Sequence, residues 1–128
     1  MSLSISRKTS KNYKILMLIE RTSFGSITVN GKTFPHDIWL FANGEIKRRD
    51  RNHRFTLDEF FELLEGDPET VIVGTGQAGC VEVEESVLEE AKKRGIELVN
   101  LETPRAISAY NEAVKSGKRV AAAFHVTC

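Results

Sequence analysis

The sequence predicts an α/β domain of three layers, in which a mixed central sheet carries a C-terminal βαβαβ unit preceded by antiparallel β-hairpins and one helix. Three observations carry this. Asn30-Gly31 and Asn43-Gly44 each separate two short strand-like runs, which is the pattern of tight hairpins. From Val71 onward, strand-like apolar runs alternate with helical periodicity, as in parallel strands joined by crossover helices. The final run, Val120 to Val126, is nearly all apolar and belongs in the middle of a sheet covered on both faces.

Residues 1–13 are rich in Ser, Lys and Asn and read as a loosely held end. Ile15–Ile19 reads as a short buried strand. Ile27-Thr28-Val29 leads into Asn30-Gly31, Lys32-Thr33-Phe34 returns, and Pro35 interrupts the return. Asp37–Phe41 and Glu45–Arg49 form the second pair around Asn43-Gly44. Thr56-Leu57-Asp58-Glu59 is a capping box, in which the threonine accepts the third helical amide and Glu59 reaches back. Leu57, Phe60, Phe61 and Leu64 make the apolar face of that helix, and Gly66-Asp67-Pro68 ends it.

Val71–Val73 is the next strand. Val83, Val87, Leu88 and Ala91 line the buried face of the second helix, which Gly95 stops. Glu84 and Glu85 at its start and Lys92, Lys93 and Arg94 at its end suit the helix dipole. Ile96–Leu101 is a strand. Thr103 is the expected N-cap and Pro104 the first-turn proline of a third helix, which buries Ala106, Ile107, Tyr110, Ala113 and Val114 and stops at Gly117.

At 128 residues, with 41% hydrophobic and 28% charged content, the chain suits one domain with one real core. Eighteen Lys+Arg balance eighteen Asp+Glu, and a zero net charge argues against a dedicated nucleic-acid binder. The two cysteines, Cys80 and Cys128, are too few for a disulfide scaffold, so a reducing cytoplasm is the expected home. Arg7, Lys8, Lys11 and Lys14 precede the run 15–19. That run is too short for a signal peptide, and Glu20-Arg21 closes it. No stretch approaches the roughly 20 apolar residues of a membrane span.

The turn after Val71–Val73 carries most of the functional information. Gly74, Gly76 and Gly79 meet the G-x-G-x-x-G spacing, and Glu102 lies where an acidic residue grips a ribose in dinucleotide-binding folds. Glycines let backbone amides approach a phosphate, and a helix start favours the anion. Against this, the helix begins only near Glu84, and Glu82, Glu84 and Glu85 oppose a pyrophosphate. A plain turn, or a pocket for something other than a nucleotide, is the preferred reading.

The carboxyl ends of the three parallel strands bring Gly74-Thr75-Gly76, Glu102 to Arg105 and His125 to Cys128 to one edge, where ligands bind in open α/β sheets. There Arg105 would bind an anion and His125 would carry a proton. Lys47, Arg48, Arg49, Arg51, His53 and Arg54 form a basic cluster. It fits RNA or an acidic partner. The acidic helix that follows makes a solvated, compensated turn the preferred account. His36, His53 and His125 show no ligand spacing, so no metal site is read. Cys80 borders the glycine turn, as an activated thiol or an idle one. Ser86, Ser108 and Ser116 sit within helices, outside any nucleophile-elbow sequence.

Phe24-Gly25-Ser26-Ile27-Thr28-Val29, Asp37-Ile38, Ile72-Val73-Gly74-Thr75-Gly76, Ala106-Ile107 with Tyr110-Asn111, and the closing Phe124-His125-Val126-Thr127-Cys128 together form a pattern. It resembles a small family of uncharacterised single-domain proteins. This family includes the adipogenesis-associated domain-containing protein of animals, archaeal proteins of unknown role and, more divergent, a mitochondrial complex I assembly factor. The resemblance runs from Phe24 to Cys128 and leaves residues 1–20 outside as an extension to a single domain at 21–128. It implies a three-layer α/β fold with a mixed sheet and, through the mitochondrial branch, protein-partner or assembly work. It implies no established reaction.

The expected function is therefore a cytoplasmic, non-catalytic binding or assembly module with no cofactor. It acts on a protein partner or a second copy of itself, and on a small anionic ligand. Gly74, Thr75, Gly76, Gly79, Arg105, Asn111 and His125 are the candidate ligand-binding residues, and Trp39 and Phe41, if exposed, the candidate partner anchors. The alternative is a small enzyme or nucleotide-binding protein using the cleft of the Gly74–Gly79 turn, with His125 as acid or base and Arg105 as the anion clamp.

Overall fold

In a computed structural model, which describes residues 16–128, the chain forms ten strands and three helices among those residues. The expectations for residues 1–15 lie outside the described residues. β1 (Ile19–Ser23), β2 (Ser26–Val29) and β3 (Lys32–Phe34) form a three-stranded antiparallel sheet. Asn30 and Gly31 make its second turn, both at positive φ (47° and 82°), as the Asn-Gly pair requires. The first strand starts at Ile19, where the short apolar run was expected to end.

The central sheet has the order β5-β4-β10-β7-β9. β4 (Ile38–Leu40) and β5 (Ile46–Arg48) are the second hairpin; β7 (Thr70–Gly74), β9 (Glu97–Leu101) and β10 (Val120–Phe124) are parallel. β10 lies in the middle, antiparallel to β4 and parallel to β7, as its apolar run predicts. Gly74 is in register with both Phe124 and Leu101, so the three parallel strands end level at one edge.

The pleat sorts these strands into two cores. Val120, Ala122 and Phe124 face one side with Ile72 and Leu40, beneath the three-stranded sheet and α3 (Thr103–Lys115). Ala121, Ala123, Val71 and Val73 face the other, beneath α1 (Leu57–Glu62) and α2 (Glu85–Arg94). Each fully buried phenylalanine, such as Phe60 or Phe124, contributes about 2 kcal/mol by leaving water. The result is the mixed, three-layer α/β arrangement that the sequence predicts.

Several elements differ from expectation. Arg54–Phe55 (β6) and Glu82–Val83 (β8) form a two-stranded parallel ladder, too short to leave a periodic signal. Val83 therefore belongs to a strand. Phe61 and Leu88 are exposed; the buried positions are Phe60 in α1, Leu63 at its C-cap, and Val87 and Ala91 in α2. Leu57 and Leu64 are partly buried against the same core, so Phe61 alone leaves the expected α1 face. Arg94 covers the Phe61 ring at 5.4 Å. The capping box is half made: Thr56 Oγ1 accepts the Glu59 amide at 3.2 Å, but the Glu59 carboxylate turns inward instead of back. Glu84 caps α1 from outside, accepting from the Leu57 amide at 3.0 Å and from Arg54 at 2.9 Å. Arg54, then that amide, hold its carboxyl below the usual range.

Tyr110 is buried, and desolvation pushes its phenol above the ordinary tyrosine value. The unfolded chain therefore loses this proton first, and stability falls as pH rises above about 10. Replacing Tyr110 with Phe should remove that part of the alkaline loss, as read by denaturant melts across pH 8 to 11 (roughly the tyrosine range).

Candidate functional site

The sheet edge where β7, β9 and β10 end is filled by the chain itself. The residues after β10, His125 to Cys128, lie against the glycine turn. Every amide from Thr75 to Cys80 is donated within the protein. The acceptors are Leu101 O (2.8 Å), Thr103 Oγ1 (2.8 Å), Thr127 O (2.7 Å), Cys128 O (2.7 Å), Gly76 O (3.3 Å) and Cys128 O again (3.1 Å). A phosphate would find no free donor in this turn. Gly76 is needed for packing: at φ +112°, a Cβ there would stand 2.3 Å from the Cys128 carbonyl carbon and 2.8 Å from the His125 ring. The glycine spacing thus serves the close approach of residues 125–128, and the plain-turn reading accounts for it.

Thr103 locks this edge. It is fully buried inside the first turn of α3, not at the N-cap, which is Glu102. Its hydroxyl donates to His125 O at 2.6 Å and accepts the Gly76 amide at 2.8 Å. Arg105, one turn face away, is exposed, and its guanidinium donates to no described residue. His125 is 1% exposed. The His125 side chain is thus enclosed, while that of Arg105 is exposed. Asn111 serves the fold: its carboxamide accepts the Ile19 amide at 2.9 Å and donates to the Ile19 carbonyl at 2.8 Å. Phe41 is buried, and Trp39 is half-buried with its indole N–H on Glu59 at 2.8 Å, so neither is a free partner anchor.

The buried charges lie on the hairpin side of the same edge. Asp37, just before β4, accepts the Val126 amide on Oδ1 at 2.9 Å. On Oδ2 it accepts Arg49 Nη1 at 2.7 Å and His125 Nδ1 at 2.8 Å. Arg49 also bonds both carboxylate oxygens of Glu59 and the carbonyls of Asn52 and Arg54. Asp37, Arg49 and His125 are each at most 3% exposed. Arg49 thus belongs to the core, not to a solvated basic turn; Lys47, Arg48, Arg51 and Arg54 remain exposed.

Because Asp37 holds Nδ1–H of His125, the neutral ring presents Nε2 as an acceptor, 3.1 Å from Thr127 Oγ1. The His53 ring stands edge-on to it, centroids 5.1 Å apart, and His53 Nε2 lies 3.5 Å from Cys128 Sγ. The Cys80 amide donates to the Cys128 carbonyl at 3.1 Å, and the neighbouring Cys128 thiol raises the Cys80 pKa. Sequence reasoning missed this assembly because its members come from four separate segments. The one available signal was Asp37 within the Asp37-Ile38 pattern. A cleft of about 410 Å³ opens beside it, lined by Gly25, Pro35, His36, Arg48, Arg51 and Thr127 over Asp37 and Arg49.

A family model described as protein of unknown function (DUF498/DUF598) matches residues 19–125. The chain belongs to this family. Asp37, Arg49 and Thr103 all lie within the stretch that the DUF498/DUF598 model spans, and His125 is its last matched residue. Among solved structures, the chain is similar to a conserved hypothetical protein from Pyrococcus horikoshii. That match has 29% identity and a TM-score of 0.79, and covers 88% of this chain and all of the other. A protein named MT938 is 32% identical, with a TM-score of 0.75 and coverage of 88% and 99%. A Mth938-like domain from Bordetella pertussis, 19% identical with a TM-score of 0.64, covers 98% of this chain and 92% of its own and shares the fold. Among the described residues, no helix is long and apolar enough to cross a membrane.

Two outcomes test this geometry. Gly76→Ala adds strain at positive φ and a clash with backbone, and should cost about 3 kcal/mol in a urea melt. Arg49→Met leaves the buried Asp37 and the partly buried Glu59 uncompensated, and should cost about 3–5 kcal/mol, most of it recovered in the triple variant Arg49→Met/Asp37→Asn/Glu59→Gln.

Proposed function

We propose that this protein is a non-catalytic binding module that docks an acidic segment of a partner protein in the cleft beside Asp37. The cleft with Arg48 and Arg51 on its wall is the observation that carries this reading. Both arginines are exposed, and neither forms an ion pair among the described residues, so their donors are open to carboxylates. His36 stands with them, its Nδ1 2.9 Å from the Asp37 carbonyl. Phe24, next to the cleft residue Gly25, is 71% exposed, the most exposed of the large apolar residues described, and supplies an apolar anchor. The buried Asp37–Arg49 pair beneath holds the wall rigid at no cost on binding.

Such a module works through contacts, as the resemblance to the assembly-factor branch implies. Free thiols at Cys80 and Cys128 suit a reducing cytoplasm. A second reading draws on one observation: Asp37, His125 and Thr127 form a carboxylate–imidazole–hydroxyl line, the arrangement that activates a nucleophile. The glycine-turn amides of residues 75–80, the ones that would form an oxyanion hole there, are all donated within the protein, which favours the binding reading.

Fluorescence anisotropy with a labelled oligoglutamate peptide tests the module. Wild type should bind with an affinity that falls as salt rises, and Arg48→Ala/Arg51→Ala should lose about tenfold or more. Indifference of binding to both arginines would sink the proposal. Turnover of a chromogenic ester, lost in Thr127→Ala, would favour the second reading instead.

A further inference from the structure

The groups around Cys128 have the composition of a metal centre. His53, His125 and Cys128 each offer one ligand atom, and the three atoms lie within 4.8 Å of one another. Cys80 adjoins them through the backbone, its amide donating to the Cys128 carbonyl at 3.1 Å. We infer that His53, His125 and Cys128 bind a zinc ion, with the fourth position left to water.

Three features support a built site. The first is spacing. Tetrahedral zinc with bonds of about 2.3 Å to sulfur and about 2.0 Å to nitrogen sets those ligands roughly 3.6 Å apart. The observed Cys128 Sγ to His53 Nε2 separation is 3.5 Å. The second is orientation. Asp37 takes Nδ1 of the buried His125 and leaves Nε2 to the cluster, the carboxylate–histidine–zinc relation that fixes tautomer and ring plane. In the metal-free chain the Thr127 hydroxyl meets that nitrogen at 3.1 Å and gives it up on binding.

The third is the backbone. His53 O accepts the Glu82 amide at 2.9 Å, through the β6–β8 ladder. His125 N donates to Gly74 O at 2.9 Å, and its carbonyl accepts Thr103. Cys128 O accepts the amides of Ala78 and Cys80 at 2.7 and 3.1 Å, which fixes both cysteines at once. All three main chains are tied before any ion arrives, so binding orders little more than side chains. Sulfur and imidazole donors select zinc over calcium or magnesium, which take oxygen. Coordination releases the Cys128 thiol proton to solvent.

The full chain, reduced and stripped of metal, is titrated with cobalt(II) and then with zinc. One equivalent of cobalt should give tetrahedral visible bands with a thiolate charge-transfer band, zinc should bleach them, and zinc should raise the melting temperature. His53 and Cys128 are not part of the core, so His53→Gln and Cys128→Ser should keep the metal-free melt and lose the signal. Cys80→Ser should retain both binding and the charge-transfer band. No charge-transfer band in the wild type, or a cobalt affinity unchanged in His53→Gln, would overturn the site. Neither variant touches Arg48 or Arg51, so peptide binding at the cleft stands or falls separately.

Discussion

The ion pair between Asp37 and Arg49 is the constraint around which the functional edge is built. Two charges this deep are expensive to take from water, and here each is surrounded by partners. The carboxylate holds the residue after His125 by its amide, His125 by its ring, and Arg49 by its guanidinium. The guanidinium in turn closes the loop of residues 49–54 by bonding two of its carbonyls, and fastens α1 through Glu59. A hairpin, a central strand, a loop and a helix are thereby set relative to one another by polar geometry, which fixes directions that apolar packing leaves loose.

The same constraint explains why a sheet edge of the kind that usually receives ligands is occupied by protein here. Residues 125–128 are drawn inward at one end by Asp37 and accept the amides of the glycine turn at the other. The open surface is displaced sideways, toward the hairpin, where Arg48 and Arg51 stand. The chemistry-bearing residues that remain close to one another are those around Cys128, at the seam between the turn and the loop of residues 49–54.

Much of the fold was legible because it rests on local rules. The Asn-Gly turns, the apolar run of β10 and the alternation of strand and helix after Val71 each follow from short-range sterics or from periodicity. The three parallel strands end level, as expected. The site was far less legible. Arg49 sits in a run of cations and looks solvated; only its distant partners Asp37 and Glu59 make it a core residue. His53, His125 and Cys128 meet through tertiary contacts across segments with no fixed spacing. A shared sheet edge does not dictate burial: Arg105 is exposed there and His125 enclosed. Glu59 misled because a buried arginine outcompetes a helix cap for its carboxylate.

Asn111 has a consequence for how the molecule keeps to itself. β1 is the border strand of its sheet, and the peptide of Ile19 would otherwise present an unpaired donor and acceptor to any passing chain. The carboxamide from α3 occupies both, as a neighbouring strand would. One helix side chain thereby shields part of a border that could template aggregation, without lengthening the sheet.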